Sequence, residues 1–247
     1  MMNGMTISVD IIIEKTGESF NTLLDWGLAV GNNNYIGDPV QETHYIEVAG
    51  ASAPLDLSEV LCGRPVFKSR PINVLLGGKK GRLDWDSIIS TYRNKIEGQV
   101  VKLVFSNDPF FFWRGRVSIT NFDRVRELGS FNLSIPLADP YKYEIFDSKD
   151  DWLWDPFDFE YGVIRYIGPI DLSNISITVP RGSMLTVPIF EIDSIVGSLS
   201  VSANGNTYQL AVGENRFPQL LVAGTEEVIL QFTGKGAGSI KYRGGSL

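Results

Sequence analysis

Histidine and cysteine are nearly missing from this 247-residue chain, which has one of each, His44 and Cys62. A single cysteine excludes an intrachain disulfide, and its expected place is as a small buried apolar residue. Two such residues in total do not close a zinc site, so no metal is assigned. No serine has a histidine at motif spacing, which removes a serine-hydrolase triad. His44 lies in "ETHYIEV", whose pattern predicts a strand, so it is expected on a strand face with its polar atoms satisfied locally. Positive charge is in deficit too. Lys and Arg number 22 against 29 Asp and Glu, for a net charge of -7. That balance argues against a large nucleic-acid-binding surface, which needs clustered cations, and against an anionic membrane. No apolar run is long enough to cross a bilayer. The start, "MMNGMTISVDIIIEK", has no basic residues at its head and is interrupted by Asp10, so it does not read as a signal peptide. On that reading the sequons at Asn132 and Asn174 carry no meaning.

Phosphate-cradling loops are absent as well. "GGKKGR" (77–82) lacks the Walker pattern and is expected as a surface loop between a strand and a helix. "GKGAG" (234–238) lacks the third glycine and the flanking helix of a dinucleotide fingerprint, and is expected as a turn. Carboxylates remain. Asp84 with Asp86, or Asp150 with Asp151, have the makings of the acid–base pair a glycosidase would need. Helix capping explains the first pair and linker solvation the second. A calcium site in the acidic stretch would lack the alternation and glycine of an EF-hand. No catalytic residue, cofactor or metal is therefore assigned, and the chain is expected not to be an enzyme.

What is present is alternation. Hydrophobic residues make up 43% and charged residues 21%, an ordinary globular mixture, and the length suits two domains. "QVVKLVF" (99–105), "RVSITNF" (116–122) and "FNLSIPL" (131–137) each predict a strand with one buried face. "LSVSANGNTYQL" (199–210) predicts a hairpin turning at Asn204-Gly205, and "EVILQF" and "GSIKYR" repeat the pattern. One helix stands out, at about 86–97. Asp84 or Asp86 is placed to cap it; Ile88, Ile89, Tyr92 and Ile96 share a face; Gly98 suits its end. In "NDPFFFWRGR" (107–116) Phe110 and Phe112 point one way while Phe111 and Trp113 point the other, so burial on both faces is expected. Composition shifts after Tyr143, where "DSKDDWLWDPFDFEYG" (147–162) mixes acids with aromatics and reads as a linker entering a strand. The fold class is mainly β: two β-sandwich-type domains, residues 1–145 and 146–247, the first carrying one α-helix.

Read in order, "DWGLAV" (25–30), "DLSEVLCGRPVFKSRPINVLL" (56–76), "IEGQVVKLVFSNDPFFFWRGRVSI" (96–119) and "ADPYKYE" (138–144) resemble the N-terminal domain of the distal tail proteins of long, non-contractile-tailed bacteriophages. "DPYKY", residues Asp139, Pro140, Tyr141, Lys142 and Tyr143, is the most specific piece. "TVPIFEI" through "GSIKYRGGSL" is similar to that family's C-terminal galectin-like β-sandwich. The resemblance implies a virion structural protein, made in the bacterial host cytoplasm and located at the phage tail tip. It implies a homohexameric ring lining the DNA exit channel, with the tail-tube protein on one face and the tail-tip or baseplate protein on the other. It implies no cofactor, no stable DNA binding and no membrane. "ADPYKYE" then becomes a joint between the ring domain and the outer domain. The alternative function is carbohydrate binding through the C-terminal domain in attachment to a host-surface glycan. The galectin sugar residues are not matched, and Tyr208, Phe217 and Tyr242 are the remaining candidates to stack on a sugar.

Overall fold

The computed structural model describes residues 6–32, 34–60, 63–81, 84–150 and 167–247. Cys62 and most of the acidic, aromatic stretch 147–162 lie outside the described residues. Among the described residues the protein is mainly β with one α-helix, Trp85–Ile96. Its contacts divide it into two compact units. One is Met1–Asp108 with Phe112–Pro140; the other is Pro109–Phe111 with Tyr141–Leu247. Each has its own apolar core.

In the first unit, Val9–Ile13 pairs antiparallel with Ser19–Asn21 and with Val100–Phe105, which pairs in turn with Asp108–Arg116. A second sheet runs Ser118–Val125, Leu128–Ala138, Arg70–Lys79, with the short strands Ala29–Val30 and Tyr35–Ile36 on the far side. Alternation decides which residues meet. Ile11, Leu103, Val74 and Leu133 are wholly buried in one cluster, as expected where two sheets each bury one face. The expected strand 116–122 is divided differently. Arg116 ends one strand and Ser118 starts the next. Phe112 and Trp113 are buried while Phe110 and Phe111 are half-buried.

The helix buries Trp85, Ile89, Tyr92 and Ile96, with Ile88 packed at the margin. Trp26 stacks on Tyr92 at 4.1 Å between centroids. Capping does not follow the expectation. Asp84 occupies the N-cap position, but its side chain makes no cap hydrogen bond. Its backbone is already helical (φ -87, ψ -22). The side chain instead turns back over Gly81, where a Cβ would lie 2.2 Å from Oδ2. Asp86 pairs with Arg124 at 2.9 Å. Gly98 does close the helix with φ +70, a value that favours glycine.

"GGKKGR" is not a loop throughout, because Gly77, Gly78 and Lys79 complete the strand Arg70–Lys79. The glycines are there for clearance. A Cβ on Gly78 would sit 2.8 Å from the Gly27 carbonyl oxygen. Its strand partner Gly129 faces the Trp85 ring, 2.4 Å from where its Cβ would be.

The second unit is built on two long strands, Ile189–Ala203 and Val228–Lys241. Ile170–Asp171 and Ser176–Val179 pair with the second of these, Asn206–Leu210 and Gly213–Arg216 with the first. The hairpin turns at Asn204 and Gly205, φ +50 and +78, the left-handed pair a two-residue turn requires. "GKGAG" is not a turn. It lies inside Val228–Lys241, opposite the register shifts at Ile192/Ser194 and Val196/Leu199. A bulge bends its strand and disrupts the ladder locally. A Cβ on Gly234, Gly236 or Gly238 would lie 2.0, 2.7 or 2.4 Å from a carbonyl oxygen of the bulged strand.

Candidate assembly surfaces

The residues of "DPYKY" occupy defined positions. The Asp139 amide donates to the Arg114 carbonyl at 3.0 Å, and its carboxylate lies 3.5 Å from Arg114 Nη1. Pro140 ends the first unit and Tyr141 begins the second. Tyr141 and Tyr143 are half-buried. Lys142 and Tyr143 pair with Ser246 and Gly245, and Lys142 Nζ lies 4.2 Å from the Phe111 ring centroid. At the head of the stretch expected as a solvated linker, Lys149 and Asp150 are exposed but Asp147 and Ser148 are buried. Asp147 is buried, with Arg243 at 3.1 Å and Lys241 at 3.9 Å from its carboxylate. Ser148 is wholly buried; its hydroxyl donates to the Ile240 carbonyl at 2.6 Å and accepts from the Tyr242 amide at 2.8 Å.

Residues 37–60 and 63–69 of the first unit form an arm. Its stem is closed by the Glu42 amide on the Val66 carbonyl (2.7 Å) and the Lys68 amide on the Val40 carbonyl (2.9 Å). Beyond the stem, Tyr45–Ile46 pairs with Leu55–Asp56. Val40, Tyr45, Ile46, Val48, Leu55 and Val60 are all exposed. Single exposed apolar side chains are ordinary, but a contiguous group marks an interaction surface. The same stretch, 38–60, holds five acids (Asp38, Glu42, Glu47, Asp56, Glu59) and no lysine or arginine. The Ser58 hydroxyl and amide bonded to Asp56 hold its carboxyl below the usual range, so it stays ionised.

The root of the arm is fixed by Arg70. This side chain is buried, its guanidinium 4.2 Å over the Trp113 ring, with Nη1 donating to the Gly37 carbonyl at 3.2 Å. Burial lowers its pKa, and Nε has no hydrogen-bond partner among the described residues. His44 belongs to the arm, not to a strand. It is exposed, with Nε2 3.7 Å from Glu42. Sequence reasoning missed the arm. The one signal available was a run of acids without bases among scattered apolar residues.

A shallow cleft of about 500 Å³ in the first unit is lined by Glu97, Arg116 and Leu137 among others. Both charged groups are committed to the backbone, Glu97 accepting from the Ile119 amide at 2.9 Å and Arg116 donating to the Gly98 carbonyl. Among the described residues no group of three His, Cys, Asp or Glu is arranged to hold a metal, and no helix is long and apolar enough to cross a membrane.

No family model matches the sequence, and no curated protein matches it. A solved structure does. It is the crystal structure of the SPP1 Dit protein (gp 19.1), described as a paradigm of the hub adsorption apparatus in phages that infect Gram-positive bacteria. The alignment covers 95% of this chain and 98% of that one, with a TM-score of 0.61 at 13% identity.

The chain shares the fold of that structure.

At that identity the likeness is one of fold, carried by patterning and not by shared side chains. The structure of this chain places the aromatic residues weighed for sugar stacking. Tyr242 is buried, which removes it as a platform. Tyr208 and Phe217 stack on each other at 4.7 Å and pack against the second core, where Phe217 meets Phe190.

Proposed function

We propose that the protein is a structural virion component, a hub at the distal end of a non-contractile phage tail. In this reading six copies form a ring that joins the tail tube to the tail-tip or baseplate proteins and lines the DNA exit channel. Residues 1–145 make the ring, and 146–247 form a galectin-like outer domain. "DPYKY" (Asp139 to Tyr143) is the joint between them. The observation that carries the proposal is the fold likeness to a hub adsorption protein over nearly the whole of both chains. A match of both units in one order is far more specific than a match of one sandwich, an architecture shared by many unrelated functions. The arm adds independent support, since a ring built from one repeated head-to-tail contact needs exposed surface on each copy.

The test is self-association of the purified full chain. Light scattering across a concentration series, with negative-stain micrographs, should show a closed ring of sixfold symmetry at the high end. Association by mass action makes a monomer at dilution uninformative. A monomer at every concentration, with no rings when a tail-tube protein is supplied, would overturn the proposal.

A further inference from the structure

The acidic, apolar arm has a counterpart elsewhere in the first unit. The hairpin of Ser118–Val125 and Leu128–Ala138 ends in Val125 opposite Leu128, both largely exposed. Lys79 is the strand partner of Leu128, and the Lys80 amide donates to the Glu127 carbonyl at 2.9 Å. Four cations therefore lie at this end of the sheet: Lys79 beside Leu128, Arg124 and Arg126 on either side of Val125 in the chain, and Lys80, whose Nζ lies 3.0 Å from where a Cβ on Gly27 would be. Glu127 and Asp86 take up Lys79 and Arg124, each at 2.9 Å. Lys80 and Arg126 have no ion-pair partner among the described residues.

Position decides what this tip meets. Arm and tip stand at opposite ends of one strand. The arm returns into the sheet at Arg70, and the tip lies beside Lys79. Ten residues of strand span roughly 30 Å at about 3.3 Å each. A copy's own arm, rooted by Arg70 and closed at its stem, is therefore far from its own tip. Two complementary surfaces at opposite ends of a protein form a heterologous contact between copies, which closes into a ring or runs on as a filament.

We propose that the occupant of the arm is a second copy of this chain: the exposed apolar and acidic face of residues 38–60 docks on the Val125/Leu128 tip of the next copy. This rests on the ring reading above and names its contact. The apolar side chains supply the buried area. The carboxylates Glu47 and Glu59, facing Lys80 and Arg126, fix partner and register.

Charge exchange tests it in the full chain. One variant reverses the arm, Glu47→Lys with Glu59→Lys; the other reverses the tip, Lys80→Glu with Arg126→Asp. All four sites are at least partly exposed, and aspartate tolerates the positive φ at Arg126. Each variant alone should need at least about a tenfold higher concentration to form rings than the unaltered chain, because like charges then face each other. An equal mixture should recover ring formation, since every arm then finds a tip of opposite sign in an alternating ring. Recovery would also show that both variants are folded. Rings from each variant at the unaltered concentration would overturn the contact and leave the ring reading standing. Two variants that fail singly and in mixture, each with an unfolding midpoint like the unaltered chain's, would send the arm to another surface and overturn it equally. An unaltered chain that never forms rings removes both readings.

Discussion

Substituting Gly129 by alanine tests how the helix is seated. A Cβ there would lie 2.4 Å from Trp85 Cε2 and 2.6 Å from Cζ2, and Trp85 is wholly buried. The ring is held in place because its Nε1 donates to the Glu127 carbonyl at 3.0 Å. Relief must come from moving the indole, and with it the first turn of the helix. Overpacking of this kind costs about 1–3 kcal/mol. A central value of about 2 kcal/mol corresponds to a fall of roughly 4–8 °C in the melting transition, at about 2–4 °C per kcal/mol. Trp85→Phe should relieve the clash while losing the indole hydrogen bond, worth about 1 kcal/mol. The double variant should therefore be less destabilised than the sum of the single ones, by about 1 kcal/mol. Urea unfolding of the four proteins reads each quantity. A Gly129→Ala protein within about 0.5 kcal/mol of the unaltered chain, or strict additivity in the cycle, would refute the packing of Trp85 on this glycine.

Ser148→Ala should cost about 2–3 kcal/mol, because it strands the Ile240 carbonyl and the Tyr242 amide in a buried site; an unfolding midpoint unchanged in urea would contradict that. Glu14 is held below its usual pKa, first by its hydrogen bond to Arg114 and then by that residue's charge. A depressed folded-state pKa adds stability that is present above the unfolded value and is lost as pH falls through the folded value. Both side chains are more than a third exposed, so Glu14→Gln should cost only about 0.5 kcal/mol at neutral pH. That difference should shrink toward zero in acid, and a difference that grew below pH 4 would have the wrong sign. Double-stranded DNA should be little retained on a gel even at low salt, where phosphate binding is strongest; tight, salt-sensitive retardation would count against a sliding conduit.

Local alternation made much of the fold legible. The expected strands at 99–105 and 131–137 overlap Val100–Phe105 and Leu128–Ala138, and the helix at 86–97 is Trp85–Ile96. These elements carry their burial pattern in their own sequence. The glycine-rich stretches were misread for a physical reason. Glycine marks a turn when its φ must be positive, but it also marks a place where another backbone or ring leaves no room for a Cβ. Gly78, Gly129, Gly236 and Gly238 are of the second kind, and only the tertiary structure supplies the atom that excludes the methyl. Asp84 shows the same limit. Its residue type and place fit a cap, but its side chain is spent on the turn before the helix.

The arm also changes what the net charge means. Acids exceed bases by seven, 29 against 22, and residues 38–60 of the arm alone supply five acids with no base. The rest of the chain is then only two charges from neutral. An argument from net charge against DNA binding would therefore speak mostly about one segment. The stronger argument is local and lies in how cations are spent: Lys79 on Glu127, Arg114 on Glu14, Arg124 on Asp86, Lys149 on Glu191, Arg243 on Asp147. A cation already facing a carboxylate gains little from a phosphate, because it must first give up its partner. Beside the bare apolar tip, Lys80 and Arg126 have no carboxylate partner among the described residues, and two cations there are too few to hold a duplex at physiological salt. They are enough to choose between a neutral and an acidic protein surface. The acidic surface this chain itself provides is the arm.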